Sequence, residues 1–305
     1  MRRLLGLILC LAMLCPPALA EEWQPLPLEG AAPYAPIADA LSEDGMSYDD
    51  GTLSVRIEKD FVNETNVYYI YVTITDPTQL RTAVADPPLG KKTRLARSMA
   101  EESNAVLSLN GDFYSYNDRS PGIIYRQGMR IRDNASASYD ELLIDDKGDL
   151  TVLPWPTDLS YKFKDYARET FDAYMEEHVL INAFSFGPAL IRDGEVLQFR
   201  YQEKISCGYP TPDQRLAFCQ LGELSYLFVA CEGAKQGDGQ RGLSVPEITE
   251  LCVEKGAVQA YNLDGGNSLS IILCGRRING YNEVESLAKE REIKDIIYFA
   301  TLRSE

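Results

Sequence analysis

Residues 242–270, reading GLSVPEITELCVEKGAVQAYNLDGGNSLS, admit one local arrangement: a helix, a buried strand and a glycine turn that presents a carboxylate. Ser244 and Glu247 have the S-x-x-E spacing of a capping box, in which each side chain satisfies an orphan backbone donor at the helix start. Ile248, Leu251 and Cys252 follow at helical spacing, and Gly256 supplies a left-handed stop. The strand from Ala257 to Leu263 then runs into Asp264-Gly265-Gly266-Asn267-Ser268. Two glycines after a strand let backbone N–H groups approach a ligand, and an acid, an amide and a hydroxyl at that turn suit an oxygen-rich substrate.

The first twenty residues read as an export signal. Arg2 and Arg3 form a basic start, Leu4 to Leu14 an apolar run too short to span a bilayer comfortably, and Ala18-Leu19-Ala20 a small-residue cleavage site. Neither Cys10 nor Cys15 has the preceding small residues of a lipid-attachment site. The expectation is a cleaved, soluble, secreted or extracytoplasmic bacterial protein with no integral membrane span. The signal carries two arginines and no acids, so its removal takes the net charge from −16 to −18. That acidity disfavours nucleic acid or an anionic membrane as partner. The five cysteines beyond the signal, Cys207, Cys219, Cys231, Cys252 and Cys274, leave at least one unpaired. Their spacing fits neither a zinc ribbon nor a redox C-x-x-C pair. One disulfide is compatible with the sequence, with its partners open.

Residues 21–50, rich in proline, alanine and acids, read as a loosely held leader, and residues 51–305 as one domain. Short β-branched and aromatic runs dominate: Thr52 to Ile57, Val67 to Thr75, Leu80 to Ala85, Ala105 to Leu109, Gly122 to Tyr125, Glu141 to Ile144, the paired runs Leu216 to Gln220 and Leu224 to Cys231, and Ile296 to Leu302. Residues 189–196 read as a hairpin with Asp193-Gly194 at its tip. Helical patterns occur at Thr93 to Ser103, Asp165 to Glu177 and after Ser244. The predicted class is α+β, a large mixed β-sheet with about three packed helices in a single catalytic-type domain.

Asp112 follows one buried strand in Asn110-Gly111-Asp112-Phe113, and Asp264 follows another. Two acids at strand ends can converge on one cleft, the arrangement glycoside hydrolysis uses, or can simply make turns. Glu232 is a third acid at a strand-to-loop junction. Arg215 opens an apolar strand, where a guanidinium either holds a phosphate in a bidentate contact or makes a surface ion pair. Gly187-Pro188 marks a sharp bend. His178, the only histidine, excludes a multi-histidine zinc site, and the G-x-S-x-G elbow of a hydrolase triad is absent. Neither phosphate-loop nor dinucleotide fingerprint is present, so no nucleotide or other cofactor is expected. Metal dependence stays open.

The ordered set N-G-D-F, G-P-x-L-I-x-x-G, R-x-A, an acidic-Gly strand end, and the helix-strand unit ending N-L-D-G-G-x-S resembles the phosphodiester glycosidase family over roughly residues 50 to 303. Bacterial relatives in that family are commonly labelled exopolysaccharide-related. The resemblance implies an exported hydrolase that cleaves the glycosidic C–O bond of a sugar-1-phosphodiester in a cell-envelope or extracellular glycan, releasing sugar and a phosphomonoester. It implies Asp112, Asp264 and Glu232 as catalytic residues, and Asn110, Gly187, Arg215, Gly265, Gly266 and Ser268 as substrate-binding ones. This chain departs from the family pattern at Cys219, Glu232 and Asn267. The alternative, kept open by Glu232 and Cys219, is a non-catalytic glycan-binding or exopolysaccharide-assembly protein on the same fold.

Overall fold

The computed structural model describes residues 23–86, 92–112, 121–135, 139–154, 163–198, 210–233, 240–280 and 290–304. The signal segment 1–20, Phe113 and Cys207 lie outside the described residues. Three sheets carry the fold. The first has eight strands in the order Ser47–Asp49, Leu53–Val62, Thr65–Ile74, Ser225–Cys231, Arg215–Gly222, Gln259–Leu263, Ala189–Arg192 and Glu195–Val196. The second orders Met129–Asn134, Gly122–Arg126, Leu180–Phe184, Glu141–Asp145 and Leu150–Leu153. The third orders Arg276–Arg277, Ile271–Leu273, Leu107–Asn110, Asp295–Phe299 and Leu80–Val84.

The α+β class with three helices is as expected, but the sheet differs from the mixed one read from sequence. The strands divide among three sheets, and every pairing among the described strands is antiparallel. The reason is that alternation of apolar and polar residues reports which face is buried, not which way a neighbour runs. The 189–196 hairpin forms as read, with Asp193 and Gly194 both at positive φ.

Each sheet turns one face inward and backs the other with a helix. Ile57, Ile70, Phe218 and Phe228 from the first sheet, Leu142 and Phe184 from the second, and Leu109, Ile271 and Phe299 from the third share one core. Within it Phe218 stacks on Phe228 at 4.2 Å between ring centroids, and Phe299 meets Phe228 edge-on at 6.1 Å. On the outer faces, Ala96–Glu102 packs on the third sheet, Phe163–Glu177 on the second and Val245–Glu254 on the first. Residues of one strand alternate between these environments: Leu216 and Phe218 enter the central core, while Ala217 and Cys219 face the last helix. That helix starts at the capping box read from sequence, with the Ser244 hydroxyl accepting from Glu247 N and the Glu247 side chain accepting from Ser244 N. Cys219 and Cys252 stand as buried thiols with their sulfurs 3.5 Å apart across this interface. In the segment 23–50, Leu26 and Ala32 are buried against the third sheet and its helix, and Ser47–Asp49 forms an edge strand.

The central aromatic stack sets the stability expectation. Phe228→Ala removes a fully buried ring and is expected to cost about 3–5 kcal/mol in denaturant unfolding, whereas Phe61→Ala, at a position 62% exposed, should stay within about 0.5 kcal/mol of the parent.

Candidate active site

In antiparallel sheets the end of one strand lies beside the start of its neighbour, and three such junctions meet at one place. Ile296 pairs with Asn110, which sets Asp295 beside Gly111 and Asp112. Phe184 pairs with Leu142, which sets Glu141 beside Ser185. Leu263 pairs with Leu216, which sets Asp264 beside Arg215.

Asp112 ties the third sheet to the second. Its backbone N–H donates to Asp295 Oδ1 at 2.8 Å, and its own Oδ2 accepts from Ser185 N at 2.8 Å. Arg126, buried at the end of a second-sheet strand, donates through Nε to Asp295 Oδ2 at 2.5 Å, and its Nη2 lies 3.6 Å from Asp112 Oδ2. The guanidinium also covers the Phe184 ring at 3.9 Å. Burial pushes the Asp295 carboxyl up to about 6; Arg126 opposes the shift and the Asp112 charge adds to it.

Asn110 ties the third sheet to the first. Its Nδ2 donates to Asp264 O at 2.6 Å, and its Oδ1 accepts from Ser270 N at 3.1 Å, so this amide is a strut under the glycine turn. The turn needs glycine at 265, where a Cβ would stand 2.2 Å from Gln214 O. Gly266 spends its N–H on that same carbonyl at 3.1 Å, so it holds the turn down and is not an open anion donor. Asp264 is half-buried at the rim. Burial raises its carboxyl to about 6; the Asp112 charge pushes the same way, against the Ser268 hydroxyl, Arg291 and the Gly265 amide. Asp112 and Asp264, read from sequence as acids that can converge or can simply make turns, are near enough that the Asp112 charge acts on Asp264.

The remaining residues of the sequence reading are placed differently. Glu232 accepts from Tyr68 Oη at 2.6 Å, Asn66 Nδ2 at 2.9 Å and Gly280 N at 3.0 Å, which makes it a buried clamp between a strand pair and the loop after Arg277. Arg215 donates through Nε to Leu243 O at 3.1 Å and through Nη2 to Thr211 O at 2.7 Å, so that edge of the guanidinium binds main chain. Gly187, at φ +74° before a cis bond to Pro188, is held by Asn262 Nδ2 on its carbonyl at 2.8 Å.

Arg126, Glu141, Ser185, Tyr261 and Asp295 were missed from sequence. Tyr261 Oη accepts from Phe186 N at 2.8 Å and donates to Asp140 O at 2.7 Å, closing the third seam between first and second sheets. A usable signal existed: Asp295 opens one otherwise apolar strand, Arg126 closes another, and Glu141 opens the apolar run Leu142 to Ile144, where a charge is expensive unless partnered. Among the described residues no group of three or more His, Cys, Asp or Glu side chains is set to hold a metal ion, and no helix is long and apolar enough to cross a membrane.

Comparison with known proteins gives a family and a fold. A family model described as phosphodiester glycosidase matches residues 103–300. The catalytic domain of zebrafish N-acetylglucosamine-1-phosphodiester alpha-N-acetylglucosaminidase, in a form auto-inhibited by its pro-peptide, superposes with a TM-score of 0.62 at 16% identity, covering 88% of this chain and 87% of that one. A hypothetical protein from Synechocystis superposes with a TM-score of 0.52 at 15% identity, covering 81% of this chain and 62% of that one. A sequence search among curated proteins finds no match.

The raised Asp264 carboxyl makes a stability prediction. A carboxyl near 6 in the fold and near its usual value of about 3.9 when unfolded favours folding while protonated, and loses that contribution as pH rises through about 6. Asp264→Asn cannot ionise. It should therefore be more stable than the parent at about pH 7, by about 1–3 kcal/mol, with the difference vanishing below about pH 4. Chemical denaturation at the two pH values measures it, and equal stabilities at both would remove the burial argument.

Proposed function

Because the chain belongs to the phosphodiester glycosidase family, we propose that it hydrolyses the glycosidic C–O bond of a sugar-1-phosphodiester, releasing free sugar and a phosphomonoester. The observation that carries the reading is the coupled pair at the sheet junction, a rim Asp264 raised to about 6 beside a buried Asp112 held by Arg126 and the Ser185 amide. The substrate is a cell-envelope or extracellular glycan phosphodiester, and the segment 1–20 serves as the export signal.

In this mechanism Asp264 is the group that reaches the reacting atoms. Burial and the Asp112 charge make its carboxylate a stronger base than a solvated one, suited to take a proton from water. The water oxygen bonds to the anomeric carbon as the bond from that carbon to the phosphate oxygen breaks. The electron pair leaves on the phosphomonoester, which needs less protonation than an alcohol would. Asp112 contributes negative potential to the oxocarbenium-like transition state. Arg215 beneath the turn and Arg291 beside Asp264 supply the positive potential for the departing phosphate. Glu232 and Cys219, the departures that kept a non-catalytic binder open, act through packing in this scheme.

Phosphate-coupled turnover of the purified protein on a panel of sugar-1-phosphodiesters tests the proposal. Asp264→Asn should lower kcat by at least about a thousandfold while remaining folded. For the parent, kcat/KM should rise with pH through about 6, as Asp264 loses its proton. A fall over the same range would reassign Asp264 as the acid. Sugar binding without turnover on any diester would establish the glycan-binding alternative.

A further inference from the structure

Behind the coupled aspartates lies a carboxyl that the mechanism above does not use. Glu141 is fully buried, and its environment can be read by counting hydrogens around one hydroxyl. Ser185 Oγ has three polar neighbours besides its own Cβ. Ile123 N donates to it at 2.7 Å, Ile123 O lies 2.8 Å away as an acceptor, and Glu141 Oε2 makes a short contact. A serine hydroxyl carries one proton and two lone pairs. If Glu141 were ionised, two acceptors would compete for that single proton, and one lone pair would face another at hydrogen-bond distance without a hydrogen between them. A protonated Glu141 removes the conflict: Glu141 donates to Ser185 Oγ, Ile123 N donates to Ser185 Oγ, and Ser185 donates to Ile123 O.

The enclosure leaves little room for another solution. Gly122, at φ +112°, closes over Ser185, and a Cβ there would come within 2.7 Å of its side chain. Among the described residues Glu141 Oε1 accepts the long contact of 3.3 Å from Ile123 N, far less than an ionised buried carboxylate requires. The charges acting on Glu141 are Asp112, which disfavours ionisation, and Arg132, which favours it; Tyr261, which feels the Glu141 charge, is a further ionisable neighbour. Burial outweighs Arg132 and holds the Glu141 carboxyl well above its ordinary range.

We propose that Glu141 is a neutral, proton-bearing positioning residue: its O–H fixes Ser185, and the Ser185 amide in turn holds Asp112 in place. The sequence of contacts is Glu141 O–H to Ser185 Oγ, then Ser185 N–H to Asp112 Oδ2 at 2.8 Å. Neutrality matters as much as position. A second buried negative charge would repel the Asp112 charge, so a neutral Glu141 leaves Asp112 free of that repulsion. The consequence for turnover rests on the glycosidase reading; the protonation state does not.

Infrared spectroscopy of the purified protein, with no substrate, tests the protonation state. At about pH 8, where Asp264 and Asp295 at about 6 are ionised, a carbonyl band of a protonated carboxyl should persist, shift in deuterated buffer, and vanish in Glu141→Gln. Absence of the band in the parent, or its survival in Glu141→Gln, overturns the proposal even if the enzyme is active. Kinetics test the positioning role. Glu141→Ala should lower kcat about tenfold with KM little changed, and Glu141→Gln, neutral and isosteric, should restore it with the pH midpoint unshifted. An ionised Glu141 gives a different result: Gln would then remove a negative charge and move the midpoint to lower pH. If no substrate turns over, the glycosidase reading fails while the infrared result still decides the state of Glu141.

Discussion

The Arg126 guanidinium lies between the carboxylates of Asp295 and Asp112, with the Phe184 ring against its face. Arg126 belongs to the second sheet and both aspartates to the ends of third-sheet strands, so the contact crosses the seam between two sheets. Burying three charges is unfavourable in itself, and removing one partner of such a set leaves an uncompensated charge worth about 3–5 kcal/mol. The arrangement persists because the polar atoms find other partners nearby. Arg126 Nη1 donates to the Tyr125 and Ala183 carbonyls, the Asp295 carboxylate accepts from Asp112 N, and the Ser185 amide donates to Asp112 Oδ2. What the group adds for the molecule is definition: donors and acceptors with fixed directions specify one register more sharply than apolar contacts alone.

The other two seams follow the same logic with neutral groups. Asn110 reaches from the third sheet to the Asp264 carbonyl of the first, and Tyr261 reaches from the first sheet to Phe186 and Asp140 of the second. Each strut is a side chain binding main chain, and main-chain atoms at strand ends have no ladder partner to satisfy them. The junction of three antiparallel sheets creates a surplus of such orphan groups. Polar side chains gather there because the backbone requires them, and a catalytic pair can be built from the same supply. Asp264 differs from the rest in remaining partly exposed, with its side chain bonded to Ser268 and to its own turn and with Arg291 as a nearby charge.

Much of this was legible in the sequence, for identifiable reasons. The capping box of residues 244–247, the Asp193-Gly194 hairpin and the strand-to-glycine turn at 264–266 are encoded within a few residues each, so local patterns suffice. Asp112 and Asp264 stood out because each ends a strand in a glycine-flanked turn. Arg126, Glu141 and Asp295 did not, because their meaning depends on partners far along the chain: Asp295 is 169 positions from Arg126. Pairing direction was hidden for the same reason. A β-branched run states that it is buried, and only the neighbouring strand decides whether the ladder is parallel.

The departures from the family pattern acquire a physical meaning from their surroundings. Glu232 spans three donors on two segments, Asn66 and Tyr68 of one strand and the Gly280 amide, at 2.9, 2.6 and 3.0 Å. An aspartate, shorter by one methylene, could not meet all three without drawing the loop after Arg277 inward. The extra length therefore belongs to the clamp, and the loop it anchors carries Arg277, whose Nη2 donates to Leu269 O just beyond the Asp264 turn. Cys219 fills space against Cys252 under the last helix, where a glycine would leave the interface short of one side chain. Asn267 is exposed at the turn and binds no core. None of the three alters the Asp112, Arg126 and Asp295 set, so chemistry built on that junction is insulated from them. The longer clamp acts instead on the loop after Arg277, through the Gly280 amide.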